Sequence, residues 1–375
     1  MRWVMRAVLT GAMALAGTAG AQTTRETLPS PDYTGGQTVY SAKFQDGVGD
    51  ALTPKLHDRT PTGQRGFAGQ FGHQPVRLAL TDLPAHRYVR VSFDLYVIRT
   101  WDGRHDDQRD TWQCQLENGP VLLRTSFCNS PRKGPDAPTQ DYPAWLEEGT
   151  FSPYTGAART GTLGYTWTYH GLGEQPADSV YRMEMVFPHS EKDLTLLFQA
   201  VLNGGAPGSE WSIIEDESWG LDDLHVQVFD EAPGRNFTDR QLATLWQALG
   251  SEDPVTARAA WWHLAAGGER ASAYVREKTS TDEANQQQVR KLVEALEAEK
   301  FSRRKQAAQQ LLEIGPSVEP ILSEARAKAD SWELEGRIEE LLQQARQLDD
   351  PKWQRQFRAS RLLTLLGSDD APAEQ

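Results

Sequence analysis

Along residues 39–230 apolar side chains recur at every second position, the period of a β-strand. In residues 88–97, Val89, Val91, Phe93, Leu95 and Val97 fall on one face, with Arg90, Ser92, Asp94 and Tyr96 on the other. The same alternation runs through Val76, Leu78 and Leu80, and through Tyr181, Met183, Met185 and Phe187. It returns in Leu194, Leu196, Phe198 and Ala200, and closes with Leu224, Val226 and Val228. Gly, Pro, Asn and Asp cluster between the runs, as turns require. One apolar and one polar face per strand predicts antiparallel sheets packed face to face, an all-β sandwich or jelly roll. A Pro- and Gly-rich stretch, residues 129–178, interrupts the series. Loops of that length often carry function.

After Glu231-Ala232-Pro233-Gly234 the period becomes helical. Thr238 offers an N-cap with Gln241 three positions on, the spacing of a capping box. The chain then repeats at a constant offset: Leu245, Leu249, Ala260, Leu264, Gly268 and Val275 recur as Leu292, Leu296, Ala307, Leu311, Gly315 and Leu322. A partial third copy places Leu348, Lys352, Ala359, Leu363 and Gly367 opposite Leu296, Lys300, Ala307, Leu311 and Gly315. The offset falls at the edge of the roughly 40–47-residue period of HEAT and armadillo repeats. Each Ala lets one helix approach its neighbour, and each Gly can end a helix in the left-handed conformation. The predicted architecture is therefore multidomain. An all-β domain over 39–230 precedes an all-α repeat domain over 231–367, with a short polar tail, 368–375, expected to be disordered.

The N-terminus changes the setting. Arg2 and Arg6 precede an uncharged apolar stretch, residues 7–17 (AVLTGAMALAG), and Ala19-Gly20-Ala21 fits a small-x-small cleavage site. That layout predicts a secretory signal over 1–21 and a linker over 22–38, with the protein periplasmic or extracellular. The apolar core is shorter than the ~20 residues a membrane span needs. No later stretch is apolar enough to span either, so no transmembrane segment is predicted. No Cys lies near the cleavage site to mark a lipoprotein. The net charge of −13 argues against nucleic acid as a partner. Of the two cysteines, Cys114 and Cys128, Asn118-Gly119 at a hairpin tip would set the first opposite Leu123 and the second opposite Arg109, too far apart to bond. Pro120 can shift that turn, which leaves a disulfide open.

Two resemblances cover most of the chain. "RGFAGQFGHQPVRLALTDLPAH", "VSFDLYVIRTWDG", "TGTLGYTW", "DSVYRMEMVFPHS" and "DESWGLDDLHV" are similar to a lectin-like jelly-roll domain of secreted bacterial proteins, of the concanavalin or galactose-binding kind. "LWQALGSEDPVTARAAWWHLA" and "LVEALEAEKFSRRKQAAQQLLEIGPSVEPIL" resemble the HEAT-like repeat region at the C-terminus of many bacterial proteins. Neither specifies a ligand, because a fold does not fix function.

The candidate chemistry is sparse. Asp222 shares the parity of Leu224, Val226 and Val228, so an unbroken strand would turn its carboxylate toward the core. That is costly unless the group is paired or holds a cation. Calcium takes such oxygen ligands. The resemblance implies a structural calcium held by an Asp of a "DDV"-type word and a Glu of an early "FE-x-G" word. Here "LDDL" supplies Asp222, and "FQDG" puts Gln45 where the Glu would be, with Asp46 beside it. The alternative is an Asp hydrogen-bonded within a turn. Trp101, Trp112, Trp167 and Trp219, together with Trp145, Tyr165 and Tyr169, fall in or beside predicted loops. Exposed rings there would stack on sugar C–H faces, whereas the bland alternative is core packing. Trp261 and Trp262, inside a helix, are expected to pack in the core. Glu215 and Glu217 share a strand face if that segment is extended, which would allow a retaining carboxylate pair, but Ser218-Trp219-Gly220 reads as a loop. The eight His show no metal-ligand spacing. No nucleophile elbow or phosphate loop is present. The expected function is that of an exported, non-enzymatic binding protein. Its β-domain would take carbohydrate or another cell-surface ligand, and its repeats a protein partner. The competing expectations are a scaffold with no glycan ligand and a polysaccharide hydrolase.

Overall fold

The computed structural model describes residues 27–105, 108–134, 137–144, 149–203, 214–280, 283–347 and 350–367. The predicted signal (1–21), Trp145, Leu348 and the tail (368–375) lie outside these residues. The described chain is β-rich up to Phe229 and helical from Asp239.

A seven-stranded antiparallel sheet has the order β11 (Arg159–Thr160), β14 (Asp178–Pro188), β6 (Tyr88–Arg99), β16 (Glu217–Phe229), β4 (Gly66–Phe71) and β3 (His57–Arg59). Its seventh strand, β1 (Gln37–Ala42), pairs with the second half of β16, and β4 with the first half. A five-stranded antiparallel sheet has the order β10 (Val121–Thr125), β9 (Thr111–Leu116), β15 (Leu194–Val201), β5 (Val76–Leu80) and β2 (Leu52–Thr53). Two hairpins stand apart: β7 (Arg104–His105) with β8 (Gln108–Arg109), and β12 (Thr166–Tyr169) with β13 (Gly173–Pro176).

The apolar faces read from the sequence meet in one core. Val91, Phe93 and Leu95 of β6 and Met183 and Met185 of β14 share it with Leu78 of β5 and Leu196 and Phe198 of β15. The Phe93 and Phe198 rings meet edge-on at 5.5 Å between the two sheets. On the outer face of the larger sheet, Phe67, Tyr96, Ile98 and Val180 are covered by Leu163 and Tyr165.

The long stretch 129–178 is fastened by buried polar side chains. The Asp178 carboxylate accepts the backbone N–H groups of Thr162, Leu163, Gly164 and Tyr165 at 2.8–3.2 Å. Asn129 donates to the carbonyls of Val97 and Arg99 and accepts from Ser179. Asp141, wholly buried, accepts from Arg109 and Ser126.

Cys114 faces Leu123 across the β9–β10 ladder, with Asn118 (φ 59°) at the tip, as the turn signal predicts. Cys128 lies opposite Asp102 rather than Arg109, because Arg109 leaves the ladder to pair with Arg104 in the β7–β8 hairpin. Both thiols are free and buried.

Eight helices follow among the described residues: α1 (Asp239–Leu249), α2 (Pro254–Ala266), α3 (Gly268–Thr279), α4 (Glu283–Ala295), α5 (Phe301–Ile314), α6 (Glu319–Ala327), α7 (Trp332–Gln347) and α8 (Pro351–Leu366). The Thr238–Gln241 capping box starts α1. Asp253 and Asp350 cap α2 and α8, each followed by Pro at the first helical position. The recurring residues occupy α1–α3 and α4–α6 in the same order. Leu245, Ala260, Leu264 and Val275 are buried in the first set, and Leu296, Ala307, Leu311 and Leu322 in the second. Gly268 and Gly315 both have positive φ at the helix junctions, whereas Gly367, the third in the series, has φ −99°.

The helices do not form an open row. In a solenoid each repeat touches only its neighbours, whereas α8 packs against α1, α2 and α3 as well as α6 and α7. Its Ala359, Leu362 and Leu365 belong to the cluster of the first three helices. Its Trp353 and Phe357 belong to the cluster of α4–α7. The first cluster is continuous with the β core, and α2 packs on β14. No helix among the described residues is long and apolar enough to cross a membrane.

Candidate functional site

The structure moves three of the four predicted ligand-binding tryptophans into the core. Trp101, Trp112 and Trp219 have no exposed surface. Trp101 donates its indole N–H to the Ser218 carbonyl at 2.8 Å, and Trp219 donates to Gly72 at 2.9 Å. Trp112 meets Trp219 edge-on at 6.0 Å and Phe127 at 6.5 Å. A ring enclosed by other rings has no face for a sugar, so these residues are corrected from binding to packing. The sequence misled because Trp112 and Trp219 lie within strands, β9 and β16, rather than in loops, and Trp101, just beyond the end of β6, turns inward. Trp167 keeps a partly exposed ring on β12, between exposed Thr166 and Thr168 and across from Gln175. Tyr165 and Tyr169, two residues to either side, are buried.

Asp222 also departs from its predicted orientation. On β16 it pairs with Asp94, and the next paired residue, His225, faces Ser92, so β16 carries one extra residue there. This β-bulge, with Asp223 at φ 49°, reverses the alternation. Leu221 and Leu224 both face the core while Asp222 turns to the outer face. There its carboxylate accepts the Tyr96 hydroxyl at 2.7 Å and the Asp223 N–H at 2.8 Å. Burial holds its pKa above the ordinary carboxylate value. Gln45 and Asp46 are exposed, and the Gln45 side-chain oxygen already accepts the Gly66 N–H at 3.2 Å. The oxygens of Asp222 and Gln45 thus accept hydrogen bonds within the chain.

The predicted Glu215–Glu217 pair is not formed. Residues 214–216 make a helical turn, so Glu215 is exposed while Glu217 opens β16 and is buried. Glu217 instead hydrogen-bonds Asp110, a partner the sequence reading did not single out. Asp110 is wholly buried, and its two oxygens accept the backbone N–H groups of Asp102 at 2.6 Å and Asn203 at 2.9 Å. The second carboxyl oxygen of Glu217 is buried without a hydrogen bond. Burial, then the Asp110 charge, pushes the Glu217 carboxyl up to about 10, and burial also raises Asp110. Two carboxyls in direct contact share one proton. The backbone donors on Asp110 make it the charged partner and Glu217 the proton holder. Glycoside hydrolysis needs its two carboxyls about 5–5.5 or 6.5–9.5 Å apart with the sugar between them. A directly bonded, buried pair leaves no such space.

No protein-family model matches the chain, and no curated protein matches it. Among solved structures, the dimeric latent PorU of Porphyromonas gingivalis is similar over 54% of this chain and 15% of that one, at 13% identity and a TM-score of 0.26. A carbohydrate-binding module (CBM6cm-2) of Cellvibrio mixtus lichenase 5A, in complex with cellotriose, is similar over 51% of this chain and 97% of that one. Its identity is 8% and its TM-score 0.23. The chain thus spans a small part of the first protein and nearly all of the second.

Proposed function

We propose that the chain is an exported, non-enzymatic binding protein, with a lectin-type jelly roll over 39–230 and a HEAT-like helical region over 231–367. The reading rests on one observation. Of the described aromatic residues predicted to meet a ligand, Trp167 alone is not buried, and the Gln175 side chain lies across from it on the β12–β13 hairpin. An indole face with polar neighbours suits a sugar ring, whose C–H face stacks while its hydroxyls hydrogen-bond. The contacts between Asp110 and Glu217 support a structural rather than a hydrolytic role for the acids. The full chain should bind members of a soluble oligosaccharide panel, and Trp167→Ala should weaken binding about 10-fold or more at an unchanged melting temperature. Equal binding by the variant, or no binding by the parent, would remove the carbohydrate reading.

A second surface favours a protein partner for the helical region. Phe301 and Trp332 are 70% and 80% exposed at the N-termini of α5 and α7. The Ser331 hydroxyl, beside Trp332, donates to Glu297 at 3.3 Å. Exposed rings of this size offer apolar surface that a protein partner would cover.

A further inference from the structure

Where α2 and α8 meet Pro143 and Ala144, the chain forms a pocket of ≈ 90 Å³. One water needs roughly 10–15 Å³, so the space admits a small polyatomic group. Its described lining includes Arg258, Arg358 and Arg361 and no carboxylate, with Trp261, Trp262 and Phe357 as apolar walls.

Arg258 decides what the group is. Both of its Nη atoms are shielded from solvent, and neither has a hydrogen-bond acceptor. Its guanidinium lies over the Tyr142 ring, with Cζ 4.9 Å from the centroid. A cation–π contact offsets only part of the cost of burying an unpaired charge. Arginine cannot relieve the rest by losing its proton. Trp262 adds a second unmet donor, because its indole Nε1 is buried without an acceptor. Arg358 is tied by its Nη1 to the Leu249 and Ser251 carbonyls at 2.7 and 3.3 Å. The unmet groups are donors, and no acidic side chain is in the described lining. An acceptor-only, negatively charged occupant answers both.

We propose that this pocket binds a compact oxyanion — a carboxylate, sulfate or phosphate group — held chiefly by Arg258 and accepted also by the Trp262 indole. The planar guanidinium fork suits two oxygens of one such group. The site lies at the seam of the β and helical regions, so an occupant would fasten the two together. The inference does not depend on the carbohydrate reading.

The test is thermal melting of the full chain with sodium sulfate, phosphate or acetate, at an ionic strength matched with chloride. A saturable rise in Tm of about 2–5 °C is expected with at least one oxyanion. A response to acetate alone marks a carboxylate site, and a response to sulfate or phosphate alone marks a tetrahedral one. Arg258→Met should abolish the rise, yet melt no lower than the parent in chloride, because it removes an unpaired buried charge. Trp262→Phe keeps the ring, removes the donor and should reduce the rise, which guards against a misfolded Met variant. Equal rises in the parent and Arg258→Met would be general salting and would overturn the site. So would no rise in the parent. Glu147 and Glu148, outside the described residues, follow Pro143 closely in the sequence; if Glu147→Gln/Glu148→Gln gains an anion response that the parent lacks, the counter-charge belongs to the chain itself and the proposal falls.

Discussion

Glu217 shows how one side chain can make stability depend on pH without a catalytic role. Unfolded, its carboxyl releases its proton near the ordinary value of 4.5, but buried beside Asp110 it holds that proton to about 10. Between those values the folded chain carries a proton that the unfolded chain has lost, so stability falls as pH rises. Glutamine keeps a neutral donor toward Asp110 and has no proton to lose. Glu217→Gln should therefore melt like the parent near pH 4.5 and several degrees higher near pH 8, a gain on the order of 2 kcal/mol. Parallel melting curves for the two chains across that range would refute the shared proton. The sequence displayed Glu217 in its acidic run, but its partner Asp110 comes from a distant segment. Only the folding of the β7–β8 hairpin and the start of β9 brings the two together. The tryptophans failed for a related reason. Residues beside turn signals read as loops and so as exposed, but Trp112 and Trp219 sit on the inner faces of β9 and β16, and Trp101 follows β6 into the core.

At the scale of the element, alternation was legible in β6, β14, β15 and the second half of β16, because a half-buried strand writes its inner face into the sequence at period two, whereas Ser218-Trp219-Gly220, read as a loop, lies in the first half of β16. The β16 bulge was not legible. Its extra residue, Asp223, is one that ordinarily sits in turns and on surfaces, so nothing marked the reversal that carries Asp222 outward. The bulge holds Asp223 in the left-handed region at φ 49°, with His225 Nε2 3.0 Å from its carboxylate. A β-branched residue tolerates that conformation poorly. Asp223→Val should cost about 1–3 kcal/mol, while Asp223→Gly should be close to neutral. Chemical denaturation of both variants checks this, and equal losses would mean that the side-chain contact matters more than the backbone. Helix starts were legible where caps announce them, at Thr238. The return of α8 was not, since a repeat encodes what a helix packs with but not whether the row closes on itself.

For the whole molecule, closure of the row decides how the parts stand or fall together. The core of the paired sheets continues without a break into α1–α3, and α8 supplies residues both to that core and to the cluster of α4–α7. Trp261 donates to the Arg358 carbonyl at 2.9 Å, and Arg358 returns a bond to Leu249, so α8 is also hydrogen-bonded to α2 and to the end of α1. Two domains joined by a linker would melt separately. A shared core should melt once. The full chain should therefore show one transition in which helical circular dichroism and the exchange protection of β6 and β14 amides are lost at the same temperature. Leu362 is wholly buried on the α8 face that completes this core. Leu362→Ala should cost about 2–5 kcal/mol and lower both signals together. If the helical signal falls while the strand amides stay protected, the regions are independent and the continuity of packing has no energetic weight. A chain ending at residue 230 should lose the cover that α2 gives β14 and aggregate through that face. A soluble, cooperatively folded fragment would refute the dependence.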